Sequence, residues 1–212
     1  MRFDFMSLRK MIRLNLGLMF YGLGLAMIVE AEIGLPPWDV FAKGISIQLG
    51  VTYGTASVIV SALVLLAWIP LKVKPGIGSI LNAILIGVWS DVFIPRIPVF
   101  NDYFANLTMF LIGMVIVALA TGIYITSYLG SGPRDGLMIG TQRVLGWPLW
   151  QVRTMYEVLV LVIGWLMGGQ VREGTLIFAI CIGVLMQQSL RLYKYDAVSY
   201  THLRAHETKA NL

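Results

Sequence analysis

The chain has 212 residues, of which 58% are hydrophobic and only 13% charged, with a net charge of +5 and one cysteine. Soluble domains carry roughly a quarter charged residues. This composition therefore excludes an ordinary soluble globule. It predicts an integral membrane protein whose surroundings are the lipid bilayer. The positive charge forms no dense basic stripe, so we expect no nucleic-acid partner. One cysteine also excludes a disulfide within the chain.

Six apolar segments are long enough to cross a bilayer core of about 30 Å as helices. They cover residues 14–33, 55–71, 77–94, 107–129, 152–167 and 175–192. Lipid-exposed backbone must satisfy its own hydrogen bonds, so we predict an all-α polytopic membrane protein with six transmembrane helices. Lysine and arginine are concentrated on one set of flanks, while the other set carries only Lys43, Arg96 and Arg172. This bias predicts that both termini lie in the cytoplasm.

The two halves of the chain match at a constant offset of 96 residues. This offset aligns the glycine, proline and aspartate of a short motif: Gly34, Pro37 and Asp39 in the first half, and Gly130, Pro133 and Asp135 in the second. Repeat 1 covers about residues 14–95 and repeat 2 about 107–192, with three spans in each. An odd number of spans reverses the direction of the second copy, so we predict two inverted three-helix repeats.

A stretch too short to span the membrane follows each motif, at residues 37–50 and 133–146. Proline suits the first turn of a helix, aspartate suits its positive N-terminal end, and Leu-Gly is typical of a helix end. We therefore predict a short helix after the first span and another after the fourth, either flat on the interface or dipping into the membrane. For Asp39 and Asp135, a capping role and a role as gates or substrate contacts both stay open. Arg134 replaces Trp38 at the matching position, as expected for a cytoplasmic copy.

Several polar residues near or within the spans are candidates for a cavity or gate. They are Asp39, Asp135, Arg134, Glu157, Arg153, Asn82 and Gln187. Ionisable groups inside a membrane are costly, which makes Glu157 a functional candidate. An ion pair with Arg153, one turn earlier, would satisfy both groups without any function. Asn82 and Gln187 either line a cavity or form hydrogen bonds between helices.

The end of the chain, residues 197–212, resembles translated sequencing-adapter DNA, and we interpret it as a non-native tail. Both histidines, His202 and His206, lie in this tail. They lack the H-E-x-x-H order of a helical zinc site, so no metal site is predicted. The remaining residues, 1–196, are predicted to form a single integral membrane domain.

Enzyme signatures are missing from the rest of the sequence. There is no phosphate-binding G-x-x-x-x-G-K-[ST] loop, and Cys181 lies in an apolar run that does not favour a reactive thiolate. We therefore expect no enzymatic activity and no cofactor. Inverted symmetry with a carboxylate in each half favours a permease for a small solute or ion. The alternative is a non-transporting scaffold or regulator that acts through a partner protein. The substrate and the oligomeric state stay open.

Five stretches together resemble the YczE/YyaS/YitT family of bacterial integral membrane proteins, and its YczE-like branch most. They are GLPPWDV at 34–40, KPGIG at 74–78, GPRDGLM at 132–138, VRT at 152–154 with Glu157, and GWLMGG at 164–169. The resemblance extends over the chain to about residue 194. Because the family is largely uncharacterised, the resemblance implies a location in the bacterial inner membrane and a topology rather than an activity. Pro36 stands where the family usually has glycine.

Overall fold

The computed structural model describes residues 5–193, with side chains from residue 8 onward, and within this range it contains helices and no strand. The eight α-helices are α1 (Phe5–Glu30), α2 (Pro37–Leu49), α3 (Tyr53–Ala67), α4 (Ile77–Phe93), α5 (Tyr103–Ile125), α6 (Pro133–Leu145), α7 (Leu149–Leu166) and α8 (Glu173–Leu192). A 3₁₀ turn, Ile94–Arg96, follows α4. The predicted all-α class is confirmed. The tail at 197–212 lies outside the described residues.

Five helices are long and apolar enough to cross a membrane on their own: α1, α4, α5, α7 and α8. The sixth predicted span, residues 55–71, is less regular. Its helix α3 has 15 residues, about 22 Å of rise, and passes the same test only together with α2, from which it is bent by 114°. The helix ends at Ala67 because Pro70 disfavours helical backbone in the residue before it. The chain therefore has five or six spans, depending on how this bent pair is counted.

The most extensive helix contact is the crossing of α1 and α5. Two glycines allow it, because a Cβ on Gly17 would clash with Tyr124 and a Cβ on Gly113 would clash with Gly24. Small residues let helices approach closely where hydrophobic collapse cannot drive association. The same Cβ on Gly113 would also meet Ile28. Ile28 is the position that matches Tyr124 at the offset of 96 residues. Equivalent glycines thus contact equivalent positions of the facing helix.

The loops before α2 and α6 are each bound to a helix of the other half. Gly174 at the start of α8 donates its N–H to the carbonyl of Ile33, at 2.9 Å, and Gly78 at the start of α4 donates to Leu129, also at 2.9 Å. Gly34 and Gly130 in these loops have φ of +131° and +142°, a conformation that requires glycine. These bonds hold the first turns of α2 and α6 in place.

Helices α3 and α4 pack tightly, whereas α7 and α8 make almost no contact. The first pair is held by glycine contact between Gly54 and Gly87, and by Asp91, which accepts the N–H of Gly54 at 2.7 Å. At the positions 96 residues later the chain has Trp150, Gly183 and Gln187. A Cβ on Gly183 would meet nothing within 4 Å. The bulk of a tryptophan replaces a glycine, so the α7–α8 pair cannot copy the α3–α4 contact.

Candidate functional site

Residues of all eight helices line a cavity of about 130 Å³ at the point where α2 and α6 begin. The Pro-x-Asp motifs of both halves contribute to its wall. Proline at the first turn fits because that position has no intrahelical partner for an N–H. Backbone N–H groups at a helix start are free to bind side chains or ligands. The positive ends of two helices and the charged side chains of their first turns therefore lie at this cavity.

Asp39 is almost fully buried, at 1% exposure, and its carboxylate is satisfied by two other helices. The hydroxyl of Tyr53 donates to Oδ1 at 2.8 Å, and Arg134 donates Nη2 to the same oxygen at 3.1 Å. The N-cap residue of α2 is Pro36, which has no N–H for Asp39 to accept. Asp39 therefore does more than cap its own helix, since it links α2 to α3 and α6.

The guanidinium of Arg134 has two neighbours from α2. It pairs with Asp39 and lies over the ring of Trp38, 5.4 Å from the ring centroid. A cation over a tryptophan face gains roughly 0.5–2 kcal/mol, more when it is desolvated. The side chain of Arg134 is 27% exposed. Trp38 and Arg134 are thus in contact with each other although they occupy matching positions of the two halves.

Asp135 differs from its counterpart Asp39. It lines the cavity, is exposed there, and forms no ion pair with any residue of the described chain. Its Oδ2 lies 3.2 Å from where a Cβ on Gly132 would stand, which places the carboxylate beside the N-cap residue of α6. Glycine at this position leaves room for the carboxylate. One aspartate of the pair therefore forms an ion pair with the other half, while the other bonds the backbone of Gly132 and faces the cavity.

Arg153 and Glu157 form the predicted i,i+4 ion pair on α7, with Nε and Oε1 2.8 Å apart. Both residues also line the cavity, so this ion pair is part of the cavity wall. Their counterparts 96 residues earlier are Ser57 and Ser61 on α3, which also line the cavity. The second half thus presents a charged pair where the first half presents two hydroxyls.

The structure places Asn82 in the cavity but not Gln187. Asn82 is buried on α4 and lines the cavity. Gln187 is exposed on α8 and is absent from the lining, so its assignment to the cavity is corrected. The cavity face of α8 carries Phe178, Ile182 and Met186, spaced one turn apart. Gln187 follows Met186 by one residue, about 100° around the helix, and so lies outside that face.

The sequence model of a family of unknown function, DUF6198, matches residues 8–191 of the chain. That match covers nearly all of the described helices. The protein belongs to the DUF6198 family. The resemblance to a YczE-like family is thereby confirmed, and similar named proteins agree with it.

One protein similar to this DUF6198 chain is the uncharacterized membrane protein YczE of Bacillus subtilis, 33% identical over 191 residues, 87% of this chain and 89% of YczE. An uncharacterized protein of Haemophilus influenzae is 36% identical over 171 residues, 81% of this chain and 78% of its own. The uncharacterized protein YyaS of Bacillus subtilis is 26% identical over 176 residues, 81% of this chain and 87% of YyaS. No solved structure matches the chain. The membrane relative and the apolar helices together make this DUF6198 chain a membrane protein.

Sequence reasoning missed three tyrosines of this DUF6198 site. Tyr21 on α1 and Tyr124 on α5 line the cavity, with ring centroids 6.2 Å apart in an edge-on arrangement, and Tyr53 binds Asp39. No local spacing indicates them, because they meet only when helices from both halves pack. Ser57 and Ser61, in contrast, follow from applying the offset of 96 to Arg153 and Glu157.

Proposed function

We propose that this protein is a permease that carries a small solute or ion through the cavity between its two halves. The observation that supports this most is the meeting of α2 and α6, whose N-termini face one cavity and are joined through Asp39 and Arg134. Secondary transporters commonly place their binding sites where interrupted helices from two repeats meet. The mixed polar and charged lining fits a hydrophilic solute better than a purely structural core.

The proposal includes an inverted-repeat architecture. Contacts that recur at an offset of 96 residues support it: Gly174 with Ile33 repeats as Gly78 with Leu129, each at 2.9 Å. The short helices also match, since α2 and α6 each have 13 residues and end at a left-handed glycine, Gly50 and Gly146. With three spans in each repeat, the second copy would enter the membrane from the opposite side. The two short helices would then begin near the middle of the membrane and run toward opposite faces.

The proposed location is the bacterial cytoplasmic membrane, with both termini inside. The excess of lysine and arginine on one set of flanks supports this orientation, and an even number of spans agrees with it. In this arrangement α2 would run outward from the cavity and α6 toward the cytoplasm. The bilayer surrounds the exposed apolar faces of the outer helices.

Passage of a solute requires the contact between α2 and α6 to open. Asp39 and Arg134 bridge the cavity, so a solute that crosses must displace or move this ion pair. The pair would act as the closed point of the pathway, while Ser57, Ser61 and Asn82 offer neutral hydrogen-bonding groups on one side. The ion pair of α7 lines the other side. A solute would thus exchange water for protein hydrogen bonds within the cavity.

Cysteine accessibility tests whether the cavity is a pathway without any knowledge of the substrate. In a Cys181→Ser background, Ser57→Cys and Ser61→Cys are exposed to a membrane-impermeant thiol reagent in sealed vesicles of either orientation. We expect both to react, because thiolates form only where water reaches. Matched controls on the same helix are Val60→Cys, at a buried position, and Leu63→Cys, at an exposed apolar one. If Ser57→Cys and Ser61→Cys are as unreactive as the controls from both sides, the pathway proposal is wrong.

A scaffold or regulator remains the second candidate, and the exposed faces of α7 and α8 favour it. Large apolar side chains such as Leu166 and Ile180 lie 75% and 67% exposed there. A partner helix in the membrane would bury this surface. In that case, substitutions on the exposed face of α8 would release a copurifying partner, and cavity substitutions would not.

A further inference from the structure

The charges of the cavity leave one carboxylate without a cationic partner. Arg134 pairs with Asp39, and Arg153 pairs with Glu157. Asp135 forms no ion pair of its own in the described chain, although the charges of both arginines act on it, and it is exposed to the cavity. The formal charges of the acidic and basic lining residues therefore sum to −1, and the surplus lies at Asp135.

The positive end of α6 attracts the carboxylate of Asp135 but does not take the place of a ligand. A helix N-terminus carries roughly half a positive charge and favours a carboxylate in its first turn by about 0.3–1 kcal/mol. This partial charge is spread over backbone N–H groups, so it does not supply a full counter-charge to the carboxylate. Hydrogen bonds between charged partners are about twice as strong as neutral ones. A ligand with an ammonium group is the natural partner for such a carboxylate.

The wall of the cavity is incomplete between α7 and α8. These helices make almost no contact with each other, although both contribute residues to the lining. The gap is encoded in the sequence, since Trp150 stands at the position that Gly54 occupies in the tightly packed α3–α4 pair. In a bilayer, such an opening faces the acyl chains.

The opening is apolar on its α8 side. Phe178, Ile182 and Met186 line the cavity from this helix, and no charged residue of α8 joins them. The polar lining lies deeper, on α6 and α7. A ligand that fits both regions has a positive group at one end and a short apolar part at the other.

We propose that the cavity binds a small amphipathic cation, with its ammonium group at Asp135 and its apolar part in the opening between α7 and α8. This assignment rests on the proposed function, because it names the class of solute for that cavity. The apolar part gains from transfer out of water at about 25 cal/mol per Å² buried, and the ammonium group gains its charge-assisted hydrogen bonds at Asp135.

The test is equilibrium binding of radiolabelled benzylammonium to the full chain in lipid nanodiscs. We expect saturable binding to the wild type, a loss of about tenfold or more in affinity for Asp135→Asn, and retention by Asp135→Glu. Met186→Trp adds bulk to the apolar lining on α8 and weakens benzylammonium by a similar factor while it leaves methylammonium binding unchanged. Benzyl alcohol, the neutral analogue, competes poorly. Glu32→Gln and Val184→Phe, at exposed positions away from the cavity, keep wild-type binding.

Several results overturn the inference. They are no saturable binding, equal binding by Asp135→Asn, equal competition by benzyl alcohol, and a wild type that binds methylammonium as tightly as benzylammonium. Binding in nanodiscs and uptake into liposomes are measured separately, so the two proposals can fail independently. If benzylammonium binds through Asp135 but liposomes show no uptake, the inference stands and the permease proposal fails. If liposomes take up neutral or anionic solutes and nanodiscs bind no benzylammonium, the permease proposal stands and this inference fails.

Discussion

Asp39 on α2 and Arg134 on α6 form an ion pair of 3.1 Å that joins the first turns of the two short helices. Each belongs to a different half of the chain. Because the carboxylate is buried and also accepts a hydrogen bond from Tyr53, the pair anchors the two halves to each other, and both residues line the cavity. A substitution of either residue should therefore affect both the stability of the fold and access to the cavity.

Breaking this ion pair by one substitution should destabilise the protein more than removing both charges. Asp39→Asn leaves Arg134 partly buried without its counter-ion, a situation that typically costs about 3–5 kcal/mol. The double variant Asp39→Asn with Arg134→Gln should recover part of this loss. Unfolding in mixed micelles measures the free energy in a double-mutant cycle, with an expected coupling of about 1–3 kcal/mol. Additive single effects would contradict the proposed link between the halves.

The ion pair on α7 should contribute far less to stability. Arg153 and Glu157 are 52% and 31% exposed, and pairs at this helical spacing contribute roughly 0.3–0.5 kcal/mol. Glu157→Gln should therefore change the free energy of unfolding by less than the Asp39→Asn substitution in the same micelles. An equal loss for the two variants would show that the α7 pair is structural.

Glycine before α2 should be required for its backbone conformation. Gly34 has φ of +131° and lies against Thr175, so Gly34→Ala should destabilise the protein by more than about 1 kcal/mol. Gly50 is the matched control, because its φ of +65° is left-handed but open space surrounds it. In thermal unfolding, the Gly34→Ala variant should have a lower Tm than the Gly50→Ala variant. The reverse order would mean that the loop before α2 is not held as described.

The buried Trp68 should anchor α6 to the end of α3. Its Nε1 donates to the carbonyl of Pro133 at 2.9 Å, and a buried hydrogen bond of this kind contributes roughly 0.5–1.5 kcal/mol. Trp68→Phe should lower stability and loosen the start of α6, seen as faster hydrogen exchange there. Trp89→Phe is the control, because its contact with Asn15 is exposed and long, at 3.4 Å. Equal effects of both substitutions would argue against the anchor.

The short helices were predictable because their signals are local. Proline, aspartate and Leu-Gly predicted helices over 37–50 and 133–146, and the structure has Pro37–Leu49 and Pro133–Leu145. The end of the second span was not predictable from hydropathy alone, since apolar residues continue past Ala67 to Leu71. Pro70 provided the physical signal for the earlier helix end.

The arrangement of the site depended on packing that no single segment encodes. Trp38 and Arg134 were interpreted through charge bias across the membrane, yet they stack on each other. For Gln187, cavity lining and hydrogen bonds between helices were both open, and the cavity face of α8 is apolar and excludes it. Both differences come from contacts between the two halves, where matching positions meet different surroundings.

Solute flux in proteoliposomes tests the permease claim most directly. Wild-type protein is compared with Asp39→Asn, Asp135→Asn and Glu157→Gln across a panel of radiolabelled inorganic ions, small cations, anions and neutral solutes, with protein-free liposomes and the Glu32→Gln variant as references. We predict that the wild type and Glu32→Gln accelerate uptake of at least one solute class, and that Asp135→Asn reduces that uptake by about tenfold or more. Uptake by the wild type that never exceeds that of protein-free liposomes, or uptake that all three cavity variants leave unchanged, would contradict the account.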